Sequence, residues 1–113
     1  MSRPILSSHV LDTSTGRPAA GLSVELYKKK DENWVIWHST MTNSDGRIMF
    51  PFSKDSMAEG TYKLHFKVDD YFKSMDKETF YPFVEIFFKT KEGEHYHVPL
   101  LLSPYGYSTY RGS

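Results

Sequence analysis

Three side chains that can move protons or stabilise negative charge stand far apart in the sequence: His9, Arg47 and His97. Imidazole exchanges protons near physiological pH because its ordinary pKa is about 6.5. A guanidinium presents a fork of donors that suits a planar, oxygen-rich or anionic ligand. Arg47 directly follows the turn residues Asp45 and Gly46, so we expect it at the edge of a sheet. Together these residue types favour chemistry in which water is activated.

The C-terminal segment, residues 105–113, is unusually rich in phenols and hydroxyls and carries one guanidinium. Read as a strand, it places Ser108 and Tyr110 on one face and Tyr107, Thr109 and Arg111 on the other, because alternate strand residues share a face. So polar and aromatic a strand fits a lined binding groove better than a core. An ordinary edge strand is the alternative interpretation.

His95, Tyr96 and His97 form an H-x-H pattern on a predicted strand. Two imidazoles on one strand face are able to bind the same zinc ion, so metal binding is one hypothesis. No carboxylate cluster follows nearby as a third ligand. Acid/base, substrate-contact and structural roles for the two imidazoles therefore stay open beside the metal site.

Composition excludes several classes of protein. The 113 residues contain no Cys, so disulfides and thiolate chemistry are ruled out. Lys and Arg number 14 against 14 for Asp and Glu, which argues against a nucleic-acid or anionic-membrane binder. No apolar run is long enough to span a membrane. Motifs for serine hydrolases, zinc proteases, phosphate loops and dinucleotide binding do not occur.

Turn signals recur about every ten residues, which is typical of an all-β sandwich, and we predict about seven to eight strands with one short helix. Nothing divides the chain, so residues 1–113 are expected to form one domain. The helix is predicted at 71–75, after two carboxylates that suit a helix N-terminus. Strands are predicted at 5–11, 22–27, 34–41, 47–50, 61–68, 84–89, 95–102 and 105–111.

Strand alternation also predicts which side chains share a face. In the first strand His9 lies on the same face as Ile5, Ser7 and Leu11. In the strand at 95–102, one face carries His95, His97, Pro99 and Leu101, and the other face, expected in the core, carries Tyr96, Val98, Leu100 and Leu102. Aromatic residues on other strands, Tyr62, Phe66 and Phe87, are also expected in the core.

Segments spread through nearly the whole chain resemble the 5-hydroxyisourate hydrolases, the transthyretin-related enzymes of urate breakdown. The terminal Tyr110–Ser113, Tyr-Arg-Gly-Ser, is the most specific mark of that family. The other matching segments are 8–13, 16–19, 45–47, 70–72, 80–82 and 95–104.

This resemblance implies a transthyretin-like (prealbumin-like) β-sandwich that assembles as a homotetramer, a dimer of dimers around a central channel. Active sites would form where the dimers meet. The implied reaction opens a cyclic amide, converting 5-hydroxyisourate to 2-oxo-4-hydroxy-4-carboxy-5-ureidoimidazoline in urate (purine) degradation. No metal or organic cofactor is implied, and neither nucleic acid nor membrane is an expected partner.

The resemblance also implies roles for individual residues. In the catalytic set the imidazoles orient and deprotonate water, and the guanidinium stabilises the oxyanion. The implied catalytic residues are His9, Arg47, His97 and Ser113; the implied substrate-binding residues are His9, Arg47, Ser108, Tyr110, Arg111 and Gly112. Arg111 could instead hold the tail by an ion pair. Which histidine is the general base stays open.

Two other functions compete with this interpretation. One is a transthyretin-type carrier that holds an aromatic ligand in the channel without chemistry, although such a channel needs no converging imidazoles and guanidinium. The other is a zinc-dependent hydrolase built on His95 and His97. No secretory signal is seen in Met1–Leu6, so the cytoplasm is the expected compartment, with the peroxisome as the alternative for a eukaryotic source.

Overall fold

Strands with alternating apolar residues build two β-sheets that face each other across a shared core. In the computed structural model, which describes residues 4–53 and 56–113, one sheet has five strands and the other has four. This confirms the predicted all-β sandwich with one short helix. The expectation about a secretory signal rests partly on Met1–Arg3, which lie outside the described residues.

The described residues contain nine strands, one more than the eight that were predicted at most. The additional strand is β2, which has only two residues and gives no alternating pattern in the sequence. No helix among these residues is long and apolar enough to cross a membrane. The elements in chain order are β1 (Leu6–Asp12), β2 (Arg17–Pro18), β3 (Ser23–Lys30), β4 (Asn33–Met41), β5 (Arg47–Met49), β6 (Gly60–Phe66), α1 (Val68–Lys73), β7 (Val84–Thr90), β8 (Tyr96–Ser103) and β9 (Gly106–Thr109).

The first sheet is organised around β1. On one side β1 pairs with β8 in parallel, and β9 continues the sheet beyond β8. The other edge of β1 pairs with β5 near its start and with β2 at its end. The second sheet has the order β4-β3-β6-β7 with antiparallel pairing throughout. Consequently β7 and β9 are edge strands of their respective sheets.

Side chains from both sheets fill the space between them. Leu6, Val10 and Leu100 of the first sheet and Leu64 and Phe66 of the second are fully buried. Burial of each such side chain contributes roughly 1.5–3 kcal/mol. Because these residues face inward, their neighbours along β1 and β8 face outward, and that outer face carries the polar groups described below.

The helix begins three residues earlier than predicted, at Val68 instead of Tyr71. Val68 and Phe72 are both fully buried, and residues four apart lie on one helical face. Their burial against the sandwich fixes the start of the helix. The carboxylates of Asp69 and Asp70 therefore lie inside the first turn, where they suit the helix dipole, and not before it.

Phe87 was expected in the core, and this prediction is wrong. The side chain is 57% exposed, because Val84 and Ile86 occupy the inward positions of β7 and Phe87 alternates to the outside. The Lys63 ammonium of the neighbouring strand lies 5.6 Å from the centroid of the Phe87 ring, at cation–π distance.

Asp12 connects the end of β1 to the helix. Its carboxylate is fully buried and accepts a hydrogen bond from the Ser14 amide at 3.0 Å and another from the Tyr71 hydroxyl at 2.9 Å. Burial raises the pKa of Tyr71 well above its ordinary value, and the hydrogen bond to Asp12 raises it further. The phenol is therefore a permanent donor to this carboxylate.

We predict that Tyr71→Phe lowers the free energy of unfolding by about 1–3 kcal/mol, because the buried Asp12 carboxylate loses a donor. Urea unfolding at one fixed protein concentration measures the change. The matched control is Tyr81→Phe, whose hydroxyl makes only an exposed 3.4 Å hydrogen bond to the Tyr105 carbonyl. Equal losses in the two variants would contradict the role assigned to the Asp12 link.

Candidate active site

Strand register brings the predicted site residues together on the outer face of the first sheet. The parallel pairing of β1 with β8 places Ser7 opposite His97. The antiparallel pairing of β1 with β5 places Arg47 opposite His9. Ser7, His9 and His97 are each partly buried, while Ser8 between Ser7 and His9 is fully covered by the core. The alternation predicted for β1 is thus confirmed from Leu6 to Asp12, whereas Ile5, which was predicted on the face of His9, lies before the strand and is buried in the core.

A small polar cavity of about 200 Å³ lies on this face. Residues from four separate parts of the chain meet around it: the start of β1, strand β5, the start of β8 and the C-terminus. The lining residues are Pro4, Ser7, Ser8, Arg47, Ile48, Met49, His95, His97 and Ser113. His9 does not line the cavity but lies directly opposite Arg47 in the register of β1 and β5.

The His97 ring is held at one nitrogen. Its Nδ1 lies 2.7 Å from the Ser7 hydroxyl oxygen, a distance at which the two atoms share a hydrogen. Burial lowers the pKa of His97 below the ordinary value of 6.5, and the positive charges of Arg47, His9 and His95 lower it further. The imidazole is therefore mainly neutral at physiological pH, the form that accepts a proton from water.

The C-terminal tail folds back onto His97. The Gly112 amide donates to the His97 carbonyl at 2.8 Å, forming an isolated β-bridge. A Cβ at position 112 would collide with Cδ2 of the His97 ring and lie 3.2 Å from Cγ, so only glycine fits without a shift of the ring or the tail. This close approach brings Ser113 to the cavity.

Arg111 holds the tail from the other side. Its guanidinium donates to the His95 carbonyl at 3.0 Å and to the Glu94 carboxylate at 3.3 Å. The same group lies 4.5 Å from the centroid of the Tyr96 ring. Of the two roles considered for Arg111, these contacts favour an ion pair that anchors the tail over direct contact with substrate.

Two further predicted binding residues lie elsewhere. Ser108 pairs with Leu101 at the outer face of the first sheet, as alternation predicts, but does not line the small cavity. Tyr110 and Arg111 line a larger cleft of about 510 Å³ between β7 and β9. The strand alternation that was expected to orient Tyr110 is not continued, because β9 ends at Thr109.

Strand alternation in the sequence predicts that Ser7 lies on the face of β1 that carries His9, but it predicts no role for Ser7. Its partner His97 is separated from it by 90 residues, and only the parallel register of β1 and β8 brings the two together. The face alternation of β1 was the signal available in the sequence. It identifies Ser7 as a neighbour of His9 on the site face, without naming the ring that it contacts.

The metal hypothesis has two candidate ligands in the side chains that are described, and a third is not found among them. His95 and His97 both line the small cavity, but His95 Nδ1 lies 2.7 Å from the Pro4 carbonyl and donates to it. Within residues 4–53 and 56–113, no group of three or more His, Cys, Asp or Glu side chains is arranged to hold a metal ion. His95 Nε2 is buried without a hydrogen-bond partner among these residues.

Comparisons with known proteins found a matching family model, curated relatives and similar solved structures. A family model described as HIUase/Transthyretin family matches residues 6–112. The 5-hydroxyisourate hydrolase of Salmonella dublin is 49% identical over 110 residues, covering 96% of this chain and 81% of that protein. The structure of Klebsiella pneumoniae 5-hydroxyisourate hydrolase matches with a TM-score of 0.83 and 37% identity, covering 96% of this chain and 98% of that one.

A transthyretin has the same fold. The crystal structure of transthyretin from Sparus aurata matches with a TM-score of 0.92 and 26% identity, and the match covers 97% of each chain. The predicted transthyretin-like architecture is therefore confirmed.

We predict that Gly112→Ala loosens the tail from His97, because the added methyl group collides with the ring. Loss of one hydrogen bond of about 1 kcal/mol makes amide exchange at residue 112 roughly fivefold faster. Hydrogen exchange followed by NMR measures the change, and the His97 ring signals should move with it. Gly106→Ala is the control, since a Cβ there meets only the Ser103 hydroxyl at 3.6 Å. Unchanged exchange in Gly112→Ala would contradict the packing described here.

Proposed function

The chain belongs to the HIUase/Transthyretin family, and from this premise we propose that it is a hydrolase that converts 5-hydroxyisourate to 2-oxo-4-hydroxy-4-carboxy-5-ureidoimidazoline in urate degradation. The observation that carries the proposal is the meeting of Arg47, His97 and Ser113 at one small polar cavity, in a chain whose curated relatives bear that enzyme's name. We further propose that one such domain spans the chain and that it works in the cytoplasm, or in the peroxisome of a eukaryotic source.

The proposed reaction begins with attack of water on the ring carbonyl of the substrate. A neutral imidazole of the His9 and His97 pair takes a proton from the water as its oxygen bonds to the carbonyl carbon. The tetrahedral intermediate then breaks its carbon–nitrogen bond as the imidazolium returns its proton to the leaving ring nitrogen. The carboxylic acid that is formed loses the remaining proton of the water to solvent and leaves as a carboxylate. The lowered pKa of His97 supports its being neutral and ready to accept the proton.

Arg47 is proposed to stabilise the oxyanion of the tetrahedral intermediate. Two observations support this role: its side chain lines the cavity, and its charge acts on His97 at short enough range to lower the pKa of that imidazole. A guanidinium stays protonated throughout, so it holds the developing negative charge without taking part in proton transfer.

The tail residues are proposed to complete the site. Ser113 offers a hydroxyl to the substrate, and Gly112 allows the tail to lie against the His97 ring. Ser108 and Tyr110 are proposed substrate contacts that come into play in the assembled protein, since neither lines the small cavity of one protomer. The Arg111 guanidinium acts indirectly, through its contacts with Glu94 and the His95 carbonyl.

We propose a homotetramer, a dimer of dimers, as the active assembly. The edge strands β7 and β9 both border the larger cleft, so a second copy can extend both sheets there at once. The Met49 side chain is 67% exposed on the outer face of the first sheet, where it lines the small polar cavity. Contact between two dimers across this face would cover Met49 and close the cavity around a small substrate.

A carrier function is less well supported. The fold likeness to a transthyretin is strong, but a carrier of an apolar aromatic ligand gains nothing from imidazoles and a guanidinium in its site. Binding without turnover of 5-hydroxyisourate would be the signature of such a carrier.

The direct test generates 5-hydroxyisourate from urate with urate oxidase and follows its decay spectroscopically. We expect the protein to accelerate the decay, and His9→Ala, Arg47→Ala and His97→Ala each to lower turnover by about 10²-fold or more. His38→Ala is the control, because its ring packs against Phe50 and Phe52 and does not line the cavity. No acceleration by folded wild-type protein would refute the proposed function; full activity in all three variants would refute only the residue roles.

We also predict how Arg47 affects His97. An NMR titration should give His97 a pKa below 6.5 in the wild type, because burial and nearby positive charge disfavour the imidazolium. Arg47→Ala removes one of those charges and should raise the pKa, whereas Arg47→Lys retains the charge and should change it less. Since the imidazole works in its neutral form, activity is lost as pH falls through this pKa. A lower pKa in Arg47→Ala would contradict the account.

A further inference from the structure

Among the described residues, Ser7 provides the side-chain hydrogen bond to the His97 ring. Its hydroxyl oxygen lies 2.7 Å from Nδ1, and the two residues are direct partners in the register of β1 and β8. Among residues 4–53 and 56–113, neither the Ser7 hydroxyl nor the ring makes a second side-chain hydrogen bond. Nε2 is therefore the ring nitrogen left for water or substrate.

The neighbouring serine, Ser8, differs from Ser7 in the partner of its hydroxyl, and it is the Ser8 hydroxyl that links β1 to the backbone of β8. Ser8 is buried, and its hydroxyl donates to the Val98 carbonyl at 2.6 Å, so it links β1 to β8. Ser7 faces outward and lines the small cavity, and its hydroxyl forms a hydrogen bond with the ring of a proposed catalytic residue. Two adjacent serines thus have separate tasks, one toward the backbone and one toward the site.

We propose that Ser7 is a positioning residue for the hydrolysis: its hydroxyl holds the His97 imidazole at Nδ1 and leaves Nε2 to exchange protons with water and substrate. This inference rests on the proposed function and adds a residue to it. The Gly112 backbone, which lies against the other side of His97, restricts the ring further.

A hydroxyl suits this position because its oxygen accepts a hydrogen bond without carrying a full charge. Nε2 takes up a proton in the tautomer whose hydrogen lies on Nδ1, so Nδ1–H donates to the Ser7 oxygen both before and after that step, and the ring changes protonation without losing its partner. A carboxylate in the same place would also hold the ring but would stabilise the imidazolium. Three groups around His97 act on the charge of its ring: Arg47 from β5, His9 from β1 and His95 two residues before it in the chain, and all three oppose protonation.

The test compares three substitutions at position 7. Ser7→Ala removes the hydroxyl and should lower kcat by up to about 10²-fold, the scale expected when a reacting group is misplaced by ~1 Å. Ser7→Thr keeps a hydroxyl and should restore most of the activity. Ser7→Asp should retain the hold on the ring but raise the pKa of His97, so that the acid limb of the pH–rate profile moves to higher pH. Ser74→Ala is the control, because its exposed hydroxyl contacts only the Tyr71 carbonyl.

NMR of the His97 ring gives a readout that does not depend on turnover. With ¹⁵N-labelled histidine, Ser7→Ala should move the Nδ1 signal and Ser7→Thr should bring it back toward the wild-type position. Unfolding midpoints of all variants show whether the fold is retained; if Ser7→Ala does not fold, Ser7→Thr and Ser7→Asp still give the ring signals and the pH profile.

Wild-type kcat and an unmoved Nδ1 signal in Ser7→Ala would overturn the proposal, as would equal losses of kcat in well-folded Ser7→Ala and Ser7→Thr. These results leave the proposed function intact, because the wild type still accelerates decay of 5-hydroxyisourate. If the wild type lacks that activity, the proposed function fails, and with it the assignment of Ser7 to the hydrolysis, even where the NMR signals show that Ser7 holds the ring.

Discussion

The parallel pairing of β1 with β8 is the contact on which the site depends. It places Ser7 opposite His97, and the pairing of β5 on the other edge of β1 adds Arg47 beside His9. A shift of this register by one residue would turn the outward side chains of β1 into the core. The buried residues Leu6 and Val10 prevent such a shift, so the packing of the sandwich also fixes the geometry of the chemistry.

The electrostatics of the site keep one imidazole neutral. Burial is the largest cause of the lowered pKa of His97, and the charge of Arg47 acts in the same direction. The ring's partner is an uncharged hydroxyl, which holds it without favouring the imidazolium. The guanidinium that is proposed to stabilise the oxyanion thus also disfavours protonation of His97, and these two effects are compatible with each other.

Much of this architecture could be predicted from the sequence because strand alternation is a local property. The outward face shared by Ser7 and His9 followed from period two alone, and so did the strand at 95–102 with His97. Pairing between distant strands is not local, so the contact of Ser7 with His97 could not be derived. The start of the helix depended on burial of Val68 and Phe72, and Phe87 lies outside because β7 turns that face to solvent.

Substrate is proposed to bind in the small polar cavity and not in the larger cleft between β7 and β9. Size alone would favour the larger cleft, but its lining includes no imidazole, and its two bordering strands are free edges suited to a second copy. The most direct test adds urate, a stable relative of the substrate, to isotope-labelled protein and maps the chemical shift changes. If urate binds in the small cavity, the largest changes are expected at Arg47, His97 and Ser113. If the largest changes fall at Phe87, Lys89 and Glu94, urate binds in the larger cleft and the proposed binding site is wrong.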